Sequence, residues 1–300
     1  MHKSKSVKEN SQKKIKIYLQ NDQNKDQNKD QDNLEVNKLL NKKNYKIESW
    51  KKKYPNHDFK PMNLYVHSSW KKILHDEFKK EYFNKINSIL EKCMKIDKEI
   101  FPYPDLVFNA FNLTPLYKVK VVVLGQDPYF RPEYEDNQLV PQAMGLSFSV
   151  PIGVAVPSSL RNIYANMLKH GHMNKLPKHG NLTHWANQGV FMINAALTVQ
   201  NGCPNAHAKQ WKQFTNSIVK YLSDNLDNLV FVLWGSPALG KLELIDEDKH
   251  KVVISSHPSG LSCHKPLRTY PAFNDHDHFK EINDYLKENG KKPILWNWEL

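Results

Sequence analysis

Four short runs of continuous apolar residues constrain this chain more than any other feature: VKVVVLG at 119–125, GVFMIN at 189–194, NLVFVLWG at 228–235 and KVVISS at 251–256. Side chains along a strand point alternately to opposite faces, so a strand with one wet face alternates apolar and polar residues. These runs do not alternate, and both of their faces must be covered. Segments with helical spacing lie before and between them. In residues 68–92, Trp70, Ile73, Leu74, Phe78, Tyr82, Ile86 and Leu90 fall on one face with lysines opposite, and in 208–226 Trp211, Phe214, Ile218 and Leu222 do the same. The alternation predicts an α/β fold, a three-layer α/β/α domain around a central, mainly parallel four-stranded sheet. Each fully buried valine, leucine or phenylalanine contributes roughly 1.5–3 kcal/mol before entropy is counted.

Every run is followed by polar or turn-forming residues: Gln126 and Asp127, Asn194, Gly235 and Ser236, and His257, Pro258 and Ser259. In an open parallel sheet, ligands bind outside the carboxyl ends of the strands, so these clusters are expected to converge on one crevice. An aspartate, an asparagine and a histidine among hydroxyls and aromatics suit proton transfer and polar recognition without a metal. No G-x-S-x-G elbow is present, and GSPALGK at 235–241 is followed by Leu242 where a phosphate-binding loop needs a hydroxyl. Cys93, Cys203 and Cys263 lack metal-site or framework spacing and are expected to be reduced thiols. Only His276-Asp277-His278 has a chelate-like look, and neither metal nor cofactor is expected.

Of the formal net charge of +12, +8 belongs to residues 1–60. That stretch includes the polar repeat DQNKDQNKDQDN (22–33), which has too little apolar surface to offset its ordering entropy. Residues 1–60 are therefore expected to be a basic, mostly disordered tail, with the catalytic domain at 61–300. The tail's lysine clusters suit a nuclear address or a loose DNA tether, and weakly a mitochondrial one. With no 18-residue apolar run and no signal-like start, the chain is expected to be a soluble intracellular protein and a monomer.

The motifs GQDPYF, GLSFSV (145–150), AVPSSLRNIY (155–164), INAALTV (193–199), LVFVLWGSPALGK and HPSGLS (257–262) occur in the order, and nearly the spacing, of the family-one uracil-DNA glycosylases. Residues 64–298, including the ending GKKPILW, resemble that family. The resemblance implies an enzyme that flips deoxyuridine out of single- or double-stranded DNA and hydrolyses its N-glycosidic bond, leaving an abasic site. Asp127 matches the catalytic aspartate that orients a water and steadies the cationic sugar, and His257 the neutral donor to uracil O2. Asn194 matches the amide that reads uracil O4 and N3–H, whose polarity cytosine reverses. Phe148 would stack on the base, Tyr129 would occupy the space of thymine's methyl, and Gln126 would add main-chain hydrogen bonds. Leu261 corresponds to the wedge that enters the emptied stack, and Ser159, Ser236 and Ser259 to the serines that pinch the phosphates.

The sequence departs from that pattern in places. Phe130 and Met144 stand where histidines are usual, Ser158 replaces a proline, and the link at 131–142 is about eight residues longer than usual and acidic. Two rivals follow: a catalytically silent DNA-binding subunit, which would need neither Asp127 nor His257, and a glycosylase for another damaged base, against which Asn194 and Tyr129 speak.

Overall fold

The computed structural model describes residues 40–297. The four apolar runs form one sheet of strands β1 (Val121–Gly125), β2 (Val190–Asn194), β3 (Val230–Trp234) and β4 (Lys251–Ser255), in the order β2-β1-β3-β4. All three pairings are parallel. The register sets Gly125 beside Asn194 and Trp234 beside Ser255, so the polar strand ends share one edge of the sheet. After β2 the chain crosses to the other side of β1, and the switch point therefore lies outside the carboxyl ends of β1 and β3.

Neighbouring residues of the strands face opposite layers. On one face, Phe191 stacks on Trp70 with ring centroids 5.0 Å apart and meets Phe111 edge-on at 5.1 Å. Helix α1 (Ser68–Phe78) supplies Trp70, and helix α2 (Tyr82–Lys95) supplies Phe83, which meets Phe214 edge-on at 5.6 Å. On the other face Trp234 packs edge-on against Phe273 at 5.1 Å and against Phe279 at 6.4 Å. Helices α3 (Ser158–Lys169), α4 (Ala208–Asn225) and α5 (His278–Glu288) complete the layers, α4 packing with α2 and α5 against β3 and β4. The α/β reading holds, with helices on both sides of a parallel sheet. The helical pattern at 68–92 is divided in two. A continuous helix sets residues five apart on different faces, whereas the Phe78 and Phe83 rings meet at 4.9 Å across a break at residues 79–81.

The amino-terminal boundary differs from the expectation. Residues 1–39, including the repeat at 22–33, lie outside the described residues, but residues 40–60 belong to the folded domain. Leu40, Tyr45, Trp50 and Phe59 are buried. The Leu40 carbonyl accepts the Ile152 N–H at 3.0 Å, the Lys42 N–H donates to the Ile152 carbonyl at 2.8 Å, and Trp50 Nε1 donates to the Pro102 carbonyl at 2.9 Å. These apolar residues are isolated among lysines with no period, so local composition concealed a strap held by tertiary contacts.

The long link at 131–142 is no open loop. Pro132–Glu135 and Gln138–Pro141 pair antiparallel around Asp136 and Asn137, both left-handed (φ +47° and +62°), the backbone of a tight two-residue hairpin turn. Its acidic side chains face the strap: Lys42 Nζ lies 2.9 Å from Glu133 and 3.3 Å from Glu135, and Gln138 Nε2 donates to the Tyr45 carbonyl.

Candidate active site at the carboxyl ends of the strands

A pocket of about 290 Å³ opens at the carboxyl edge of the sheet, lined by residues at the ends of β1, β2 and β4. Of the ten residues singled out in the sequence, seven line it: Gln126, Asp127, Tyr129, Phe148, Ser159, Asn194 and His257. Ser236, Ser259 and Leu261 lie outside the lining, on the loops that follow β3 and β4.

Asp127 stands two residues beyond β1 and is half-buried. Its Oδ2 accepts the Asn205 N–H at 2.7 Å. Burial raises its pKa above the ordinary aspartate value, and the amides of Asn205 and of Asp127 itself offset only part of that rise. The carboxylate is thus under-compensated, with a charge available to a ligand. Gln126 Nε2 donates to Asn205 Oδ1 at 2.7 Å, so the Gln126 side chain turns toward Asn205, while its carbonyl accepts the Ala196 N–H at 3.0 Å. Asn205 is left-handed (φ +61°) and holds both neighbours. Sequence reasoning missed it. Its one local signal is an asparagine, tolerant of that conformation, in the turn-rich GCPNAH.

His257 is fixed from two directions. The Ser259 N–H donates to its Nδ1 at 3.1 Å, so Nδ1 is an acceptor and the neutral ring carries its proton on Nε2. Burial pushes its pKa down and favours that neutral form. Behind it, Gly235 has φ +91°, and a Cβ there would lie 2.8 Å from His257 Cβ. Only glycine allows that approach.

Asn194 ends β2 and is buried, and its carboxamide makes no hydrogen bond among the described residues. It fits because its neighbour across the sheet is Gly125, where a Cβ would fall 2.1 Å from Asn194 Oδ1. Phe148 is left-handed at φ +64°, a strained conformation for a bulky residue of the kind found where a site requires it. Tyr129 Oη donates to its carbonyl at 3.2 Å, Trp234 meets its ring at 5.6 Å and His257 at 5.9 Å. Tyr129 is half-buried, and burial raises its pKa far above the usual value, which keeps it a neutral donor.

Ser159 stands in the first turn of α3, Ser236 begins the short helix Ser236–Leu239 and is exposed, and Ser259 Oγ lies 2.7 Å from Ser262 Oγ. Leu261 is 90% exposed, more than any other large apolar residue described. The departures sit close to the pocket. Phe130 lines it and packs under the Arg131 guanidinium at 5.5 Å, and Met144 lines it with Sδ accepting from Ser149 Oγ at 3.0 Å. The His276-Asp277-His278 run is used structurally: Asp277 caps α5 by accepting the Lys280 N–H at 3.0 Å and takes His172 Nε2 at 2.6 Å, while His278 is buried against Phe273.

A family model described as the uracil DNA glycosylase superfamily matches residues 111–287. The chain is 41% identical over 270 residues to a probable uracil-DNA glycosylase of Acanthamoeba polyphaga mimivirus, spanning 86% of this chain and 72% of that protein. It is 43% identical over 229 residues to a uracil-DNA glycosylase of Psychromonas ingrahamii, spanning 76% of this chain and all of that one. The crystal structure of mimivirus uracil-DNA glycosylase superposes with a TM-score of 0.81, covering 87% of this chain and 96% of that chain.

Proposed function

The chain belongs to the uracil-DNA glycosylase superfamily and is a DNA repair enzyme that hydrolyses the N-glycosidic bond of deoxyuridine, releasing uracil and leaving an abasic site; we propose that Asp127 and His257 carry that step. The observation that supports the assignment most is the pairing, across one pocket, of an under-compensated carboxylate with an imidazole whose tautomer is fixed by a backbone amide.

As the bond to the sugar lengthens, positive charge grows on the sugar and negative charge on the departing base. Asp127, presented as an anion by the Asn205 amide, stabilises the first and orients the attacking water. His257 donates from Nε2 to uracil O2 and stabilises the second, at no reorganisation cost because Ser259 already fixes the ring. Asn194, with its amide uncommitted, pairs with O4 and N3–H and selects uracil over cytosine. Phe148 stacks on the ring, Tyr129 occupies the position of a thymine methyl, and the strand end at Gln126 offers main-chain groups to the base. Leu261 fills the gap left in the duplex, and Ser159, Ser236 and Ser259 hold the flanking phosphates without reading sequence.

Both single- and double-stranded DNA are substrates in this reading, since an unstacked base enters the pocket at least as readily as a flipped one. All the residues of the proposed step come from one chain, so a monomer suffices for the reaction. The lysine-rich residues 1–60 support delivery to the nucleus, with the mitochondrion as a second destination. A fluorescent fusion of residues 1–60 that stayed in the cytoplasm would overturn that assignment. The test of the chemistry is incubation with oligonucleotides containing uracil, thymine or hypoxanthine, followed by alkaline cleavage at abasic sites. Cleavage at uracil alone is expected. A preference for hypoxanthine would refute the pocket assignment, and cleavage of none would leave a silent DNA binder.

A further inference from the structure

A second concave site lies at the other end of the sheet, where the strands begin. Tyr117, Lys118 and Lys120 precede β1, Gln188 precedes β2, and Lys291 and Lys292 follow α5; together they wall a pocket of about 370 Å³. Four lysines converge there, and no aspartate or glutamate lines it. Two of them are held in place by backbone acceptors. Lys120 Nζ donates to the Lys292 carbonyl at 2.8 Å, and Lys291 Nζ donates to the carbonyls of Asp227 and Asn228 at 2.7 and 3.0 Å. The backbone of the two strand entries is packed closely beside the pocket: the Gly189 carbonyl accepts the N–H groups of Lys120 and Val121, and a Cβ on Gly189 would lie 2.1 Å from the Lys118 carbonyl.

Like charges held this close repel one another in the free protein. Burial first, and then Lys292 and Lys291, lower the Lys120 pKa to about 8, and burial lowers that of Lys291 despite the attraction of Asp227. An anion in the pocket would reverse both effects.

We propose that this pocket is an anion site, separate from the cleft of Asp127, that takes an oxyanion of the phosphate class. Four lysines converging from two segments, two of them tethered to carbonyls, suit a compact, multiply charged group, which Lys recognises as a point charge. Its distance from the cleft, across the length of the sheet, makes occupancy independent of the nucleotide being processed. The phosphate can come from a free oxyanion such as pyrophosphate or from a phosphodiester backbone, and the two sources are separable.

The test is calorimetric titration of the full chain with pyrophosphate, and separately with a uracil-free oligonucleotide, at low salt. For pyrophosphate, saturable one-to-one binding is expected, weakened at least tenfold in both Lys120→Gln and Lys292→Gln, with uracil excision unchanged in each. Binding at pH 8 should also take up protons, detected as a heat that varies with buffer ionisation, because Lys120 regains its proton. If only the oligonucleotide responds to the substitutions, the source is a phosphodiester; if only pyrophosphate does, it is a free oxyanion. Lys292 is exposed, so its variant remains informative should Lys120→Gln fail to fold. Absence of binding by the parent chain, or equal binding by the parent and Lys292→Gln, would overturn the proposal.

Discussion

The contact between Gly235 and His257 yields a double-mutant experiment with a definite size. His257 is the donor proposed to meet developing charge on the base, and removing one preorganised donor of that kind costs about 2.7–4 kcal/mol. At about 1.36 kcal/mol per decade, His257→Ala should slow uracil release by about 10²–10³. Gly235→Ala acts on the same donor from behind. The new Cβ would sit 2.8 Å from His257 Cβ, on a backbone whose φ of +91° disfavours any side chain. Carbon atoms in contact settle at ~3.5–4.0 Å, so the histidine must retreat by about an ångström. Misplacing a catalytic group by that much costs about 10² in rate. If both substitutions act through one Nε2–H, their effects do not add. Gly235→Ala is expected to cost about 10² alone and less than ~3-fold in the His257→Ala background. The assay is single-turnover release from a single-stranded uracil oligonucleotide at saturating enzyme, with thermal melts to confirm folding. A full 10²-fold effect of Gly235→Ala in both backgrounds would refute the reasoning and point to the adjacent Ser236 loop.

Asp127→Asn should abolish most turnover while sparing affinity for DNA, and parent activity should fall as pH drops through the raised pKa of Asp127, since the anion is the working form. The same shift has a stability sign: a carboxyl with a raised folded pKa favours folding below its unfolded pKa of about 3.9, and that contribution is lost as pH rises through the folded value. Asp127→Asn is therefore expected to melt no lower than the parent at pH 8 and to lose any advantage near pH 4; a clearly lower melting temperature at pH 8 would mean that the Asn205 bond outweighs the burial. Tyr129→Ala should excise thymine slowly from thymine-containing oligonucleotides, and a folded variant giving no free thymine would remove the steric gate from the mechanism. Trp50→Ala empties a fully enclosed indole site and breaks its bond to Pro102, so urea unfolding should register a loss of about 3–5 kcal/mol; a loss below about 1 kcal/mol would show that the strap carries little of the domain's stability.

What could be read in advance followed from how local the signal was. The four strands declared themselves because burial on both faces leaves unbroken apolar runs, and Asp127, Asn194 and His257 could be placed because Asn194 closes such a run and the other two follow one within two residues. The strap at 40–60 was illegible for the opposite reason: Leu40, Tyr45, Trp50 and Phe59 are buried by tertiary contacts, among them Trp50 edge-on against Phe59 at 4.9 Å, and their spacing follows no helical or strand period. The hairpin at 132–141 had a turn signal in Asp136-Asn137 but charged flanks, whose partner Lys42 is about ninety residues away. Asn205 works chiefly through its main chain, and a backbone N–H leaves no mark on residue identity. Helix α1 and helix α2 share one apolar stripe in sequence, and only the meeting of Phe78 with Phe83 reveals the bend.

The ion cluster of Lys42 with Glu133 and Glu135 bears on where the gene can be trimmed. A version starting at residue 61 would retain every side chain of the cleft, yet it would orphan two acids on the hairpin and bare the hollows that Leu40 and Trp50 occupy. Cutting ahead of Leu40 instead keeps this clasp closed, and the hairpin and the strap are best inherited or swapped as one cassette.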